Sequence, residues 1–191
     1  MRMLFIIVLI ILFGLSAKAQ DCEAIKSFNS FRGIRLGHSM PDSIRRYFTM
    51  IPEKNDTMVF LGDYQTVDHP QLNKYITFKE KFQDVSLKRL NTGAVYSILL
   101  SKSADDADKQ NIKNGNWPTF FKSIKNELTR LFGSASDSDG IKRDIGKTYA
   151  LKWQCGNILI EFMIANAYDV IFYLSITDVT LQKRKDIENY K

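Results

Sequence analysis

Two cysteines, two histidines and two tryptophans are all that the 191 residues supply of those types, and the shortage removes several chemistries at once. Cys22 and Cys155 stand far apart, so there is no Cys-x-x-Cys redox pair. His38 and His69 have neither a cysteine nor an acid at ligand spacing, so no metal site and no cofactor is expected. The formal charge is only +6, and the basic residues are dispersed. Only Lys183-Arg184-Lys185 forms a basic run, whereas a nucleic-acid footprint needs basic residues gathered on one face. The excess reads as an ordinary solvated surface.

Long apolar runs are also missing, except at the start. Arg2 is followed by LFIIVLIILFGL and then by Ala17-Lys18-Ala19. A basic residue, an apolar run of about a dozen residues and an A-x-A site make a secretory signal peptide. Spanning a membrane takes about 17 to 25 apolar residues, more than this run offers. The expectation is a leader over 1–19, cleavage before Gln20 and one domain over 20–191, in the periplasm or outside the cell. Lipid attachment at Cys22 is disfavoured, because Asp21 is a bulky acid where a small residue is needed. In an oxidising compartment Cys22 and Cys155 most simply form a disulfide. The alternative is two separate thiols.

The strongest pattern lies between Tyr149 and Asp178. Tyr149, Leu151 and Trp153 alternate on one face, then Ile158, Ile160, Phe162 and Ile164, then Val170, Phe172, Leu174 and Ile176. Period two over three successive runs predicts an antiparallel meander with one face in the core. Upstream, Thr57 to Leu61, Lys74 to Lys79, Val85 to Leu90 and Ala94 to Ser101 read as strands. The last two flank Asn91-Thr92-Gly93, a hairpin connection with glycine where positive φ is often needed.

Two main helices are predicted. The first runs over Met40–Met50 with Ser39 as N-cap and Pro52 as its end. The second opens at Pro118 and buries Trp117, Phe121, Ile124, Leu128, Leu131 and Phe132, with Gly133 as C-cap. A short turn of helix is expected near Ala24 to Phe28. Lys102 to Asn116 reads as a loop, with a turn of helix as the alternative, Ser134 to Gly146 as a flexible connection, and Val179 to Lys191 as a short exposed helix or frayed tail. The fold class is α+β: an antiparallel sheet of about seven strands with two main helices on one face. The order suggests two helix-plus-meander units, 31–101 and 117–178, and the sheet's other face is left to solvent, loops or a partner.

Motifs for catalysis fail on inspection. Gly37-His38-Ser39-Met40 approaches the G-x-S-x-G nucleophile elbow, but Pro41 replaces the last glycine. The only later histidine, His69, lies in the same half of the chain, and Ser39 reads better as a cap. Asp137-Ser138-Asp139-Gly140 matches part of a calcium loop, yet Ala135 and Gly146 stand where the first and last ligands belong. Asp105, Asp106 and Asp108 lie among Lys102, Lys109 and Lys113, which reads as a polar loop. Trp117 and Trp153 are in phase with buried stripes, so core packing is the stronger reading than a ligand groove. Glu161 is out of phase with the apolar set and is expected to face water.

Gly33-Ile34-Arg35-Leu36-Gly37-His38-Ser39 before a helix resembles the G-x-x-L-G-M-S opening of small envelope proteins of the SmpA/BamE-like and β-lactamase-inhibitor-protein-like group, with His38 in place of the usual Met. Leu128 to Gly133, Lys152-Trp153 and Ile158 to Phe162 are similar to that group's second unit. The resemblance implies helix-plus-sheet units and a non-catalytic binding role, and it transfers no site residue. The expectation is an exported, non-enzymatic envelope protein that contacts another protein or envelope component through its open sheet face or loops. The alternative is a secreted enzyme or small-ligand carrier without a recognisable motif.

Overall fold

The computed structural model describes residues 19–31, 33–52, 58–63, 82–138, 149–166 and 169–188. The expected leader, the strand at Lys74 to Lys79, His69, and Asp139 with Gly140 lie outside these residues, the leader except for Ala19. The chain is α+β. In order it forms α1 (Cys22–Ser27), β1 (Ser30–Phe31), β2 (Ile34–Arg35), α2 (Asp42–Arg45), β3 (Thr49–Pro52), β4 (Met58–Asp63), β5 (Asp84–Arg89) and β6 (Val95–Ser103). Then follow α3 (Asp106–Lys113), α4 (Thr119–Phe132), β7 (Ser136–Ser138), β8 (Tyr149–Cys155), β9 (Ile158–Asn166), β10 (Val170–Asp178) and α5 (Val179–Glu188).

Eight strands form one antiparallel sheet in the order β3-β4-β5-β6-β10-β9-β8-β7, and β1 with β2 makes a separate small hairpin. Among the described residues the main sheet has eight strands against the seven that the sequence suggests, and two of the eight are unforeseen. β3 covers the end of the first expected helix, and β7 is three polar residues that carry no hydrophobic period and pair with Ala150 to Lys152. The sheet reads as two four-stranded meanders joined where β6 meets β10, with Leu174 opposite Leu100 and Ile176 opposite Ile98.

Alternation buries one face of the sheet over most of β5, β6, β8, β9 and β10. Val85, Leu87, Ile98, Leu100, Leu151, Trp153, Ile160, Phe162, Phe172, Leu174 and Ile176 all lie in the core. α4 covers this inner face with Phe120, Phe121, Ile124, Leu128 and Phe132, close to the expected stripe. Phe121 stacks on Phe162 at 4.7 Å between ring centroids, and Phe120 meets Phe172 at 4.9 Å. α1 packs against β8, β9 and α4. Cys22, the first residue of α1, is disulfide-bonded to Cys155 at the end of β8.

The first predicted helix is the largest correction. α2 has four residues and begins after Pro41, which makes no side-chain cap bond. Ser39 does not cap it, because its backbone is bridged to Ala94. Gly37 N–H donates to Val95 O and Val95 N–H to His38 O, so the turn at Gly37 and His38 and the bridged Ser39 are held by backbone bonds against the start of β6. This non-local pairing overrides the local cap signal. Thr49 to Pro52 then pairs with β4 as an edge strand, the one sheet position that tolerates proline.

The expected loop at Lys102 to Asn116 contains a full helix, α3, built on caps. Asp105 Oδ1 accepts from Asp108 N–H at 2.8 Å, and Asp108 Oδ1 accepts from Thr119 N–H at 2.8 Å. The buried Asp108 therefore closes the N-terminus of α4, which Pro118 alone leaves open. Asp108→Ala is expected to cost about 1 kcal/mol and so lower the thermal midpoint by about 2 to 4 °C. An unchanged calorimetric melting curve would rule out this capping role.

The outer face is not wholly open. α5 packs on β6 and β10. Ser97, Ser175 and Thr177 are out of phase with the core residues yet buried, and Tyr96 and Leu90 are buried outside the main core cluster. These residues place α5 over that end of the outer face. Asp178 starts the helix by accepting from Thr180 N–H and Leu181 N–H. Lys185, buried rather than solvated, donates to Asn91 Oδ1 at 3.1 Å.

Candidate functional site

No catalytic constellation forms among the described residues. His38 is exposed. Ser39 lines a recess of about 180 Å³ with Asp42, Arg45 and Arg89, and no described histidine lines it. Among the described residues no group of three or more His, Cys, Asp or Glu could hold a metal ion. Asp105 and Asp108 serve as caps. Asp137 and Ser138 belong to β7 and pair with Leu151 and Ala150 through the backbone. Trp153 is a core residue as expected, its indole N–H donating to Gly133 O at 3.0 Å.

Two surfaces remain. On the outer face, beside α5 and beyond it, strand register places half-exposed Leu99, Leu159, Met163, Ile171 and Tyr173 on three adjacent strands, Leu159 and Leu99 in the rows of Thr177 and Ser175. Ser101 and Met163 flank Tyr173 on either side, and Ala150 follows Met163 in the same row. Glu161 lies here as its phase requires, but it is paired: Lys152 Nζ sits 2.7 Å from its carboxylate.

The second surface is a cleft of about 230 Å³ at the start of α4, lined by Ile112, Gly115, Asn116, Trp117, Tyr149 and Ile164 among others. Trp117 and Tyr149, both expected in the core, are 43% and 40% exposed. Trp117 precedes Pro118 and so lies outside the helix whose period it seems to extend. Tyr149 is the first residue of β8, beyond the ground that α4 covers. The rings are fixed: Trp117 stacks on Phe121 at 4.9 Å and 13°, and Tyr149 meets the indole edge-on at 4.8 Å and 70°. Because Phe121 in turn stacks on Phe162, a continuous aromatic column runs from the sheet to the surface.

α3, which supplies Ile112, is tied to the β9–β10 turn by Lys109, 3.0 Å from Asp169. That hydrogen bond, with a second from Val170 N–H, holds the Asp169 carboxyl below the usual aspartate range. Sequence reading named both cleft aromatics but assigned them to the core. Their positions at the ends of elements, Trp117 just before α4 and Tyr149 at the first residue of β8, were the signal that they need not follow the period.

The fold and these surfaces define an α+β, antiparallel-sheet protein with one disulfide. Comparison with known proteins adds no narrower class, since no family model, curated sequence or solved structure matches the chain.

Proposed function

We propose that this is an exported, non-enzymatic binding protein of the cell envelope that holds a protein partner against the outer face of its sheet. The observation that carries the reading is the group of apolar side chains Leu99, Leu159, Met163, Ile171 and Tyr173, half-exposed across three adjacent strands. Apolar surface grouped in this way on one sheet face is the usual mark of an interaction site. Export is supported by the apolar leader pattern and by the Cys22–Cys155 bond, which needs an oxidising compartment to persist. Among the described residues no helix is long and apolar enough to cross a membrane.

The order of the sheet, one four-stranded meander meeting another at β6 and β10, supports two helix-plus-meander units. On this reading the joined meanders form one broad platform, and the partner spans both units.

A photoreactive p-benzoylphenylalanine at Tyr173 or Met163 should cross-link one discrete protein in the intact envelope. The same group at Lys125, exposed on α4, should not. Leu99→Glu should abolish the adduct while leaving the thermal midpoint within about 2 °C, the range of ordinary surface substitutions. Equal adducts from all positions, or none from Tyr173 and Met163, would sink the proposal.

A further inference from the structure

The geometry points to the Trp117–Tyr149 cleft as a binding site for a neutral saccharide, distinct from the protein-binding face. The flat indole is backed on one side by Phe121 and is 43% exposed, so its free face is presented without rotational freedom to lose. An aromatic face carries negative quadrupole charge and attracts weakly positive C–H edges. A pyranose ring presents such edges on its flat side and hydroxyls around its rim. Tyr149, at 70° to the indole, makes a wall beside that floor. Asn116, Gly115 and the tyrosine bring an amide, peptide groups and a phenol to the rim, as a ring of hydroxyls requires.

Charge decides between ligand classes. None of the described residues that line the cleft is charged. The α4 N-terminus, which would favour an anion, is already closed by the buried Asp108 carboxylate on Thr119 N–H. A carboxylate at that place repels a second anion, so acidic sugars and phosphates are disfavoured. A cleft of about 230 Å³ is below the roughly 300 to 1,000 Å³ of drug-sized sites, which leaves room for about one ring with the rest of a glycan outside. A proline-rich peptide, which also favours aromatic grooves, needs a track for several residues along its extended helix. The corner of one indole and one phenol is too short for that.

The test is calorimetric titration of the oxidised protein with maltotriose, cellotriose and chitotriose, and in parallel with a proline decapeptide. At least one trisaccharide should bind and quench the exposed Trp117 emission, leaving that of the buried Trp153. Trp117→Ala and, separately, Tyr149→Ala should each weaken that binding by about thirtyfold, the loss typical of an aromatic anchor. Both variants should keep the parent's far-ultraviolet spectrum and cooperative melting. Leu99→Glu, on the other surface, should bind the sugar unchanged, so failure here and failure of the protein-contact reading are separable. Binding of no trisaccharide, binding of the decapeptide alone, or sugar binding indifferent to both aromatic substitutions would overturn the inference.

Discussion

Replacing both Cys22 and Cys155 by serine is expected to lower the thermal midpoint substantially, by up to about 10 to 20 °C. The bond joins residues 133 positions apart, and chain-entropy arithmetic for so long a loop gives an upper value of about 5 kcal/mol. A domain of this size loses about 2 to 4 °C per kcal/mol. The bond is not the only tie on the N-terminal segment. Asp21 N–H donates to Phe132 O at 2.8 Å, and the Gln20 side-chain amide meets β8 where its pairing with β7 ends, donating to Lys152 O and accepting from Gln154 N–H.

These contacts keep Ile25 and Phe28 in the core of the folded state, and the disulfide acts mainly by restricting the unfolded one. The double variant should therefore fold to the same near-ultraviolet spectrum yet melt earlier. Thiol labelling of the denatured wild-type protein without reductant should find no free cysteine. A double-serine midpoint within about 2 °C of the parent would refute the assignment of stability to this bond.

Local pattern was legible wherever one element alone decided the outcome. β8, β9 and β10 follow from alternation over long runs, and the β5–β6 hairpin follows from Gly93, whose φ is 89°. α4 and its terminal Gly133 follow from a five-residue apolar stripe. What stayed hidden depends on distant partners. α2 is short because Gly37 to Ser39 pairs with Ala94 and Val95, a contact no local cap signal can reveal. α3 has little apolar period, and its reason to form is a pair of aspartates serving two successive helices. The candidate cleft was half legible: Trp117 and Tyr149 drew notice as large aromatics, but their exposure depends on where α4 stops covering the sheet. The burial of Lys185 depends on α5 folding back over β6, which charge density in that segment argues against.

Gly133→Ala tests the junction at which these distant contacts meet, and it is expected to cost about 3 kcal/mol. Gly133 ends α4 with φ 79° and ψ −161°, a region that side chains other than glycine's essentially never enter. Its N–H donates to Thr129 O at 2.9 Å and its carbonyl accepts the Trp153 indole, so the backbone cannot rotate away without breaking both bonds. A Cβ here would also press into the backbone of Ala19 and Gln20. If the mature chain starts at Gln20 the Ala19 contact goes, but the Gln20 α-carbon, 3.2 Å from the new Cβ, remains.

Backbone conformation accounts for about 1 to 3 kcal/mol of the loss, and overpacking adds a similar amount. Because the displaced segment carries Cys22, the substitution should also slow disulfide formation during oxidative refolding, whereas Gly115→Ala should not. Gly115 has a positive φ of 74° too, but nothing lies within reach of an added Cβ there. Equal losses of stability at the two glycines would show that backbone conformation alone sets the cost and that the N-terminal segment does not pack on Gly133. A larger loss at Gly133, with slower oxidation, would tie helix end, buried tryptophan and N-terminal segment into one cooperative unit.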